Sequence, residues 1–128
     1  MRTRIVCLAL ALIAVSACGG GGGSTAPTNQ PGGNTTPPVG GISVTNNSFS
    51  PSAKTVAAGT AVQWAWNSCN GDTYSGQTCV DHGVNFDDGI SSPTQDQGSY
   101  TRTFSAAGVY NYHCAVHGAA MAGTITVQ

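Results

Sequence analysis

From Ile42 to the C-terminus, apolar and polar positions alternate in short bursts. ISVT, KTVAAG, TAVQWAW, HGVNF, YTRTF, VYNYHC and GTITV are runs of β-branched and aromatic residues, separated by Gly, Pro, Asn, Asp and Ser. A period of two places Val62, Trp64 and Trp66 on one face of a strand, and Ile125 and Val127 on one face of another. No useful apolar stripe occurs at helical spacing. About seven strands in 42–128 predict an all-β domain, an antiparallel sandwich or barrel.

Before Ile42 the texture differs. MRTR is basic, and IVCLALALIAV is an apolar run too short to span a membrane comfortably as a mature helix. It ends in VSAC, which resembles the lipobox of bacterial lipoproteins. That resemblance implies a signal peptide over 1–17 and lipidation of Cys18. The stretch that follows, GGGGGSTAPTNQPGGNTTPPVGG, has almost no apolar side chain and no charge. Such a chain buries too little surface to offset its ordering entropy, so 18–41 reads as a lipidated cysteine and a flexible tether. The domain is expected outside the cytoplasm, lipid-anchored at the cell envelope, where disulfides persist.

Length and charge narrow the function. A chain of 128 residues supports one folded domain. Beyond the leader only Lys54 and Arg102 stand against five aspartates, a formal charge of −3. A weakly acidic domain with two cations has no footprint for nucleic acid.

Five cysteines occur. Cys7 belongs to the leader and Cys18 to the lipobox. Cys69 and Cys79 flank SCNGDTYSGQTC, a polar insertion after the Trp64–Trp66 strand. A disulfide there would stabilise by roughly 2–3 kcal/mol, chiefly by restricting the unfolded chain; a dithiol metal pair is the alternative. Cys114 is left over. A free thiol in an oxidising compartment is a liability unless something occupies it.

Alternation says what Cys114 faces. Tyr110, Tyr112 and Cys114 share one strand face; Val109, Asn111 and His113 share the other. His113 therefore points away from Cys114, although it is adjacent in sequence. His82, Val84 and Phe86 share a face, turning His82 toward the core. His82, Cys114, His117 and Met121 together form a thiolate, two imidazoles and a thioether. Zinc would want a fourth strong ligand or water. Three strong donors with a weak methionine suit a blue-copper electron-transfer site.

With these residues in place, the chain resembles the cupredoxins, most closely the plastocyanin and pseudoazurin branch. The resemblance covers Ile42 to Gln128 and rests on AAGTAVQWAWN, HGVNFDDG, YTRTFSAAGVYNYHC and CAVHGAAMAGTITV. It implies a Greek-key β-sandwich or barrel holding one mononuclear type 1 copper. His82, Cys114, His117 and Met121 would be the ligands. Three features depart from the family pattern. Three residues, GAA, separate His117 from Met121; Gly83 stands where many members carry an asparagine; and the Cys69–Cys79 insertion is additional.

The resemblance implies an electron carrier cycling Cu(I)/Cu(II). Its expected partners are redox proteins of the cell envelope, and it is expected as a monomer that touches the membrane only through its lipid. Three histidines are too few for a second copper site of the kind that copper enzymes of related fold require, so catalysis is not expected. A copper storage or delivery module would use the same ligands. A metal-free adhesion sandwich would instead leave Cys114 buried and inert.

Overall fold

The computed structural model describes residues 34–72 and 74–128. The leader, Cys18 and the first part of the tether lie outside the described residues. Ten strands follow in order: β1 (Ile42–Val44), β2 (Phe49–Ser50), β3 (Ala53–Val56), β4 (Thr60–Trp66), β5 (Cys69–Asn70), β6 (Thr78–Cys79), β7 (Val84–Phe86), β8 (Ser99–Phe104), β9 (Gly108–Cys114) and β10 (Gly118–Val127). No helix occurs among the described residues. All seven runs picked out by alternation contain a strand. The additional strands are the two-residue β2, β5 and β6, too short for a period to register.

Two four-stranded sheets, ordered β2-β1-β4-β8 and β3-β10-β9-β7, pack face to face. They are not wholly antiparallel, as the pattern suggested. β1 runs parallel to β4, and β3 runs parallel to β10. Alternation reports which way a side chain points and carries no information on strand direction.

Both sheets contribute inward side chains to one core. Val62, Trp64 and Trp66 are fully buried from β4, and Tyr112 and Cys114 from β9. Trp64 stands at the centre, its ring 5.5 Å from Tyr112, 5.6 Å from Phe86 and 5.9 Å from Tyr100, centroid to centroid. The Phe86 and Tyr112 rings meet it edge-on, an arrangement that adds directional stabilisation to the burial itself. Arg102 on β8 lies 4.1 Å from the Phe86 centroid and 4.8 Å from that of Phe104, and pairs with Asp88. This joins the β8 edge of one sheet to the β7 edge of the other.

The boundary at residue 41 falls later than the first contact of the chain with the domain. The Asn34 side chain donates to the Cys69 carbonyl at 3.2 Å and accepts from its amide at 2.8 Å. The Thr35 amide donates to the Trp66 carbonyl, and its hydroxyl accepts from the Gly98 amide. Residues 34–41 thus run from the β8 side of β4 to β1. Ala65, whose alternation turns it outward, is nevertheless fully buried. Polar side chains in a Pro/Gly-rich stretch carry no periodic signal, and their partners are main-chain groups of Cys69 and Gly98 that lie far along the chain.

Candidate metal centre

Three elements converge at one end of the sandwich. Val84 pairs with Cys114 across β7 and β9, bringing the segment just before β7 alongside the end of β9. His82 sits in that segment and His117 in the turn between β9 and β10. The turn is tight: Gly118 pairs directly with Cys114 and takes a left-handed φ of 58°, a conformation that glycine adopts without steric cost.

Past the turn, β10 bulges. The register runs from Gly118↔Cys114 straight to Ala122↔His113, leaving residues 119–121 unpaired. A bulge re-aims the side chains it carries. Ala119, Ala120 and Ala122 are exposed, while Met121 is 2% exposed and belongs to the core cluster that includes Cys114. The GAA spacer is thus a bulge that turns one sulfur inward.

Cys114 and His82 are both 0% exposed. The Cys114 Sγ lies 3.5 Å from Nδ1 of His82 and 3.5 Å from Nδ1 of His117. One donor atom from each residue lies within 4.8 Å of the other two. Among the described residues this is the one such cluster of three or more. Donors that each stand about 2.0–2.3 Å from a shared first-row ion must keep a few ångströms between themselves, and these do. The donor set fits copper: a polarizable thiol, two imidazoles, and a buried thioether in the same core cluster.

The surroundings favour ligation. Burial lowers the His82 pKa, the neighbouring His117 charge lowers it further, and Asp81 opposes both. The net lowering favours the neutral imidazole, the form that binds metal. The Val116 amide points at the Cys114 sulfur from 3.4 Å, a contact that stabilises a thiolate. The imidazole rings stand 4.9 Å apart, and His117 remains partly exposed.

His113 lies on the outer face, as alternation predicts, with its Nδ1 3.8 Å from Asp87 Oδ1. Cys69 and Cys79 form a disulfide, leaving Cys114 the free cysteine among the described residues. Gly83 has no side chain to brace the ligand loop, and its carbonyl accepts the Ala115 amide at 3.0 Å instead. A Cβ at Gly83 would lie 2.9 Å from Ala115 Cβ and 3.1 Å from Thr94 Oγ1. The main chain thus supplies a direct link from the His82 segment to the ligand turn. Sequence reading missed this link, since a carbonyl is common to every residue type.

A Cys/His₂ cluster with two of its three residues buried, at one end of a two-sheet sandwich, is the site of a metal-binding β-protein and fits copper. Residues 40–128 match the family of copper binding proteins described as plastocyanin/azurin, and the chain belongs to it. It is 35% identical over 89 residues to the plastocyanin of Scenedesmus fuscus, covering 62% of this chain and 86% of that protein. The fold is similar to the purple cupredoxin from Nitrosopumilus maritimus, with a TM-score of 0.56 and 22% identity over 69% of this chain and 98% of the other. It is similar also to oxidised plastocyanin from Dryopteris crassirhizoma, with a TM-score of 0.53 and 23% identity over 69% and 99%. An oxidised amicyanin variant aligns with a TM-score of 0.55 and 23% identity over 69% and 80%. Copper is the cofactor that family and site define, with one candidate position at His82, Cys114 and His117.

Proposed function

We propose that this chain is a type 1 blue copper electron carrier, tethered to the cell envelope through Cys18. His82, Cys114 and His117 would be its strong ligands and Met121 a weak fourth one. The observation that carries this reading is the buried Cys114 sulfur with two imidazole Nδ1 atoms at 3.5 Å.

When bound, copper would supply a one-electron couple between Cu(I) and Cu(II). The protein's own part is to preset the donors and exclude water. Cys114 and His82 are sealed from solvent by the core, and the pairing of β7 with β9 holds their segments side by side. A cage that needs no rearrangement suits a metal that changes charge without changing ligands. His117 reaches the surface beside exposed Ala119 and Ala120, giving electrons a short, uncharged exit. With all four donors assigned to the metal, the reading is of a carrier and not an enzyme. Redox partners of the envelope meet this end briefly, over a small interface.

Addition of Cu(II) to the apoprotein tests it. An intense blue thiolate-to-copper band is the expected result. Copper uptake without colour would favour storage or delivery, and no uptake would favour a structural sandwich.

A further inference from the structure

His82 is the one member of the trio that comes from outside the β9–β10 turn, so other elements must hold it against Cys114. Its amide donates to the Gln95 carbonyl at 2.9 Å, and the Gln95 amide donates back to the His82 carbonyl at 3.0 Å. The His82 carbonyl accepts a second hydrogen bond, from Nε1 of Trp66, at 3.0 Å. This indole contact is buried. Trp64 provides a contrast within the same strand: it too is fully buried, but its Nε1 makes no hydrogen bond to His82. Of two core tryptophans, only Trp66 spends its polar atom on a ligand.

The insertion backs the same point. The hydroxyl of Ser68, itself 1% exposed, reaches the Val80 carbonyl at 2.9 Å and the Asp96 carbonyl at 3.3 Å. Val80 lies two residues before His82, and Asp96 directly follows Gln95. Both chains of the His82–Gln95 bridge are therefore tied to one residue, two positions after Trp66. The Cys69–Cys79 disulfide closes the hairpin that begins there, and Asn34 clamps Cys69 from the other side.

We propose that Trp66 is a positioning residue for His82, and that the disulfide-closed hairpin serves to keep that contact rigid. The inference rests on the reading of His82 as a copper ligand. A metal site loses affinity when a ligand's supporting contacts are left loose, because binding must then order the ligand as well as coordinate it.

Trp66→Phe and Trp64→Phe, compared side by side, test the proposal, since each removes an indole N–H and similar volume from the core. In the apoprotein, amide hydrogen exchange at His82 and Gln95 should quicken about tenfold in Trp66→Phe relative to the rest of β4, the size of one lost buried hydrogen bond. Trp64→Phe should leave it unchanged. In the copper-loaded protein, metal release to a chelator should also quicken about tenfold, with a shifted blue band, in Trp66→Phe alone. Ser68→Ala, a smaller change, should move both readouts the same way and serves if Trp66→Phe does not fold. The proposal is overturned if the two tryptophan variants behave alike, or if exchange at His82 and Gln95 does not respond. A wild-type chain that takes up no copper would sink the electron-carrier reading, while the apoprotein exchange would still decide whether Trp66 holds His82.

Discussion

Cys114 and His113 are consecutive residues that belong to opposite sides of one sheet. The thiol of Cys114 is 0% exposed and faces two imidazoles. The His113 side chain is 40% exposed and faces the Asp87 carboxylate. One step along a strand turns the side chain over, so adjacency in sequence is the worst guide to shared chemistry here.

That relationship sets the first prediction. Cys114→Ala should abolish the blue band of the copper-loaded protein, and His82→Ala should weaken copper retention. His113→Ala should leave the colour nearly unchanged. Visible absorption after copper titration reads all three, and a bleached His113→Ala beside a blue His82→Ala would reverse the assignment of the two histidines.

Gly83 gives a second. Replacing it with asparagine, the residue many cupredoxins carry there, should fail to brace the site, because Ala115 and Thr94 already occupy the space. Overpacking of this kind costs about 1–3 kcal/mol. Gly83→Asn should therefore unfold at lower denaturant than the wild type and gain no copper affinity. Equal stability with tighter copper would show that the loop yields freely.

Arg102 supplies the third. Its guanidinium lies over Phe86, Phe104 and Tyr110 at 4.1, 4.8 and 5.2 Å from their centroids, and its side chain is 9% exposed. Arg102→Leu should cost about 1–2 kcal/mol in denaturant unfolding, with most of the loss coming from the rings and little from the half-open ion pair. Arg102→Lys should not recover it fully, because an ammonium lacks the planar face that stacks.

The same pair predicts a pH dependence. The hydrogen bond from Arg102 holds the Asp88 pKa below its ordinary 3.8, with burial opposing. A depressed folded-state pKa contributes stability that is present above 3.8 and is lost as pH falls through the folded value. The stability difference between the wild type and Arg102→Leu should accordingly narrow below pH 3.8. Denaturant melts at neutral pH and at successively lower values measure it; a constant gap would mean that Asp88 contributes nothing.

The proposed electron exit at His117 yields a fifth. Ala119 is exposed in the bulge beside His117. Ala119→Lys should slow electron exchange with a redox partner while leaving the blue spectrum intact. Stopped-flow kinetics against absorption spectra separates the two effects, and an unchanged rate would move the exit away from His117.

Alternation alone determined the all-β class, the buried faces of β4, β7 and β9, and the inward aim of His82 and Cys114. A period of two is a local property of the backbone, so it survives without knowledge of what packs against it. The cysteine count, together with a compartment inferred from the leader, singled out Cys114 as the unoccupied thiol. Residue chemistry then proposed copper, because so few donor sets combine one thiolate, two imidazoles and a thioether.

Tertiary structure decided what depends on partners distant in sequence. Parallel pairing of β1 with β4, the docking of Asn34 and Thr35, and the Trp66–His82 hydrogen bond join segments whose own residues carry no trace of the other. The GAA spacer is the plainest case. As sequence it is three small residues of unexplained number; as a bulge it turns Met121 into the core and leaves its neighbours outside. Side-chain direction past a bulge depends on the register of the opposite strand, and register is set only when two strands meet.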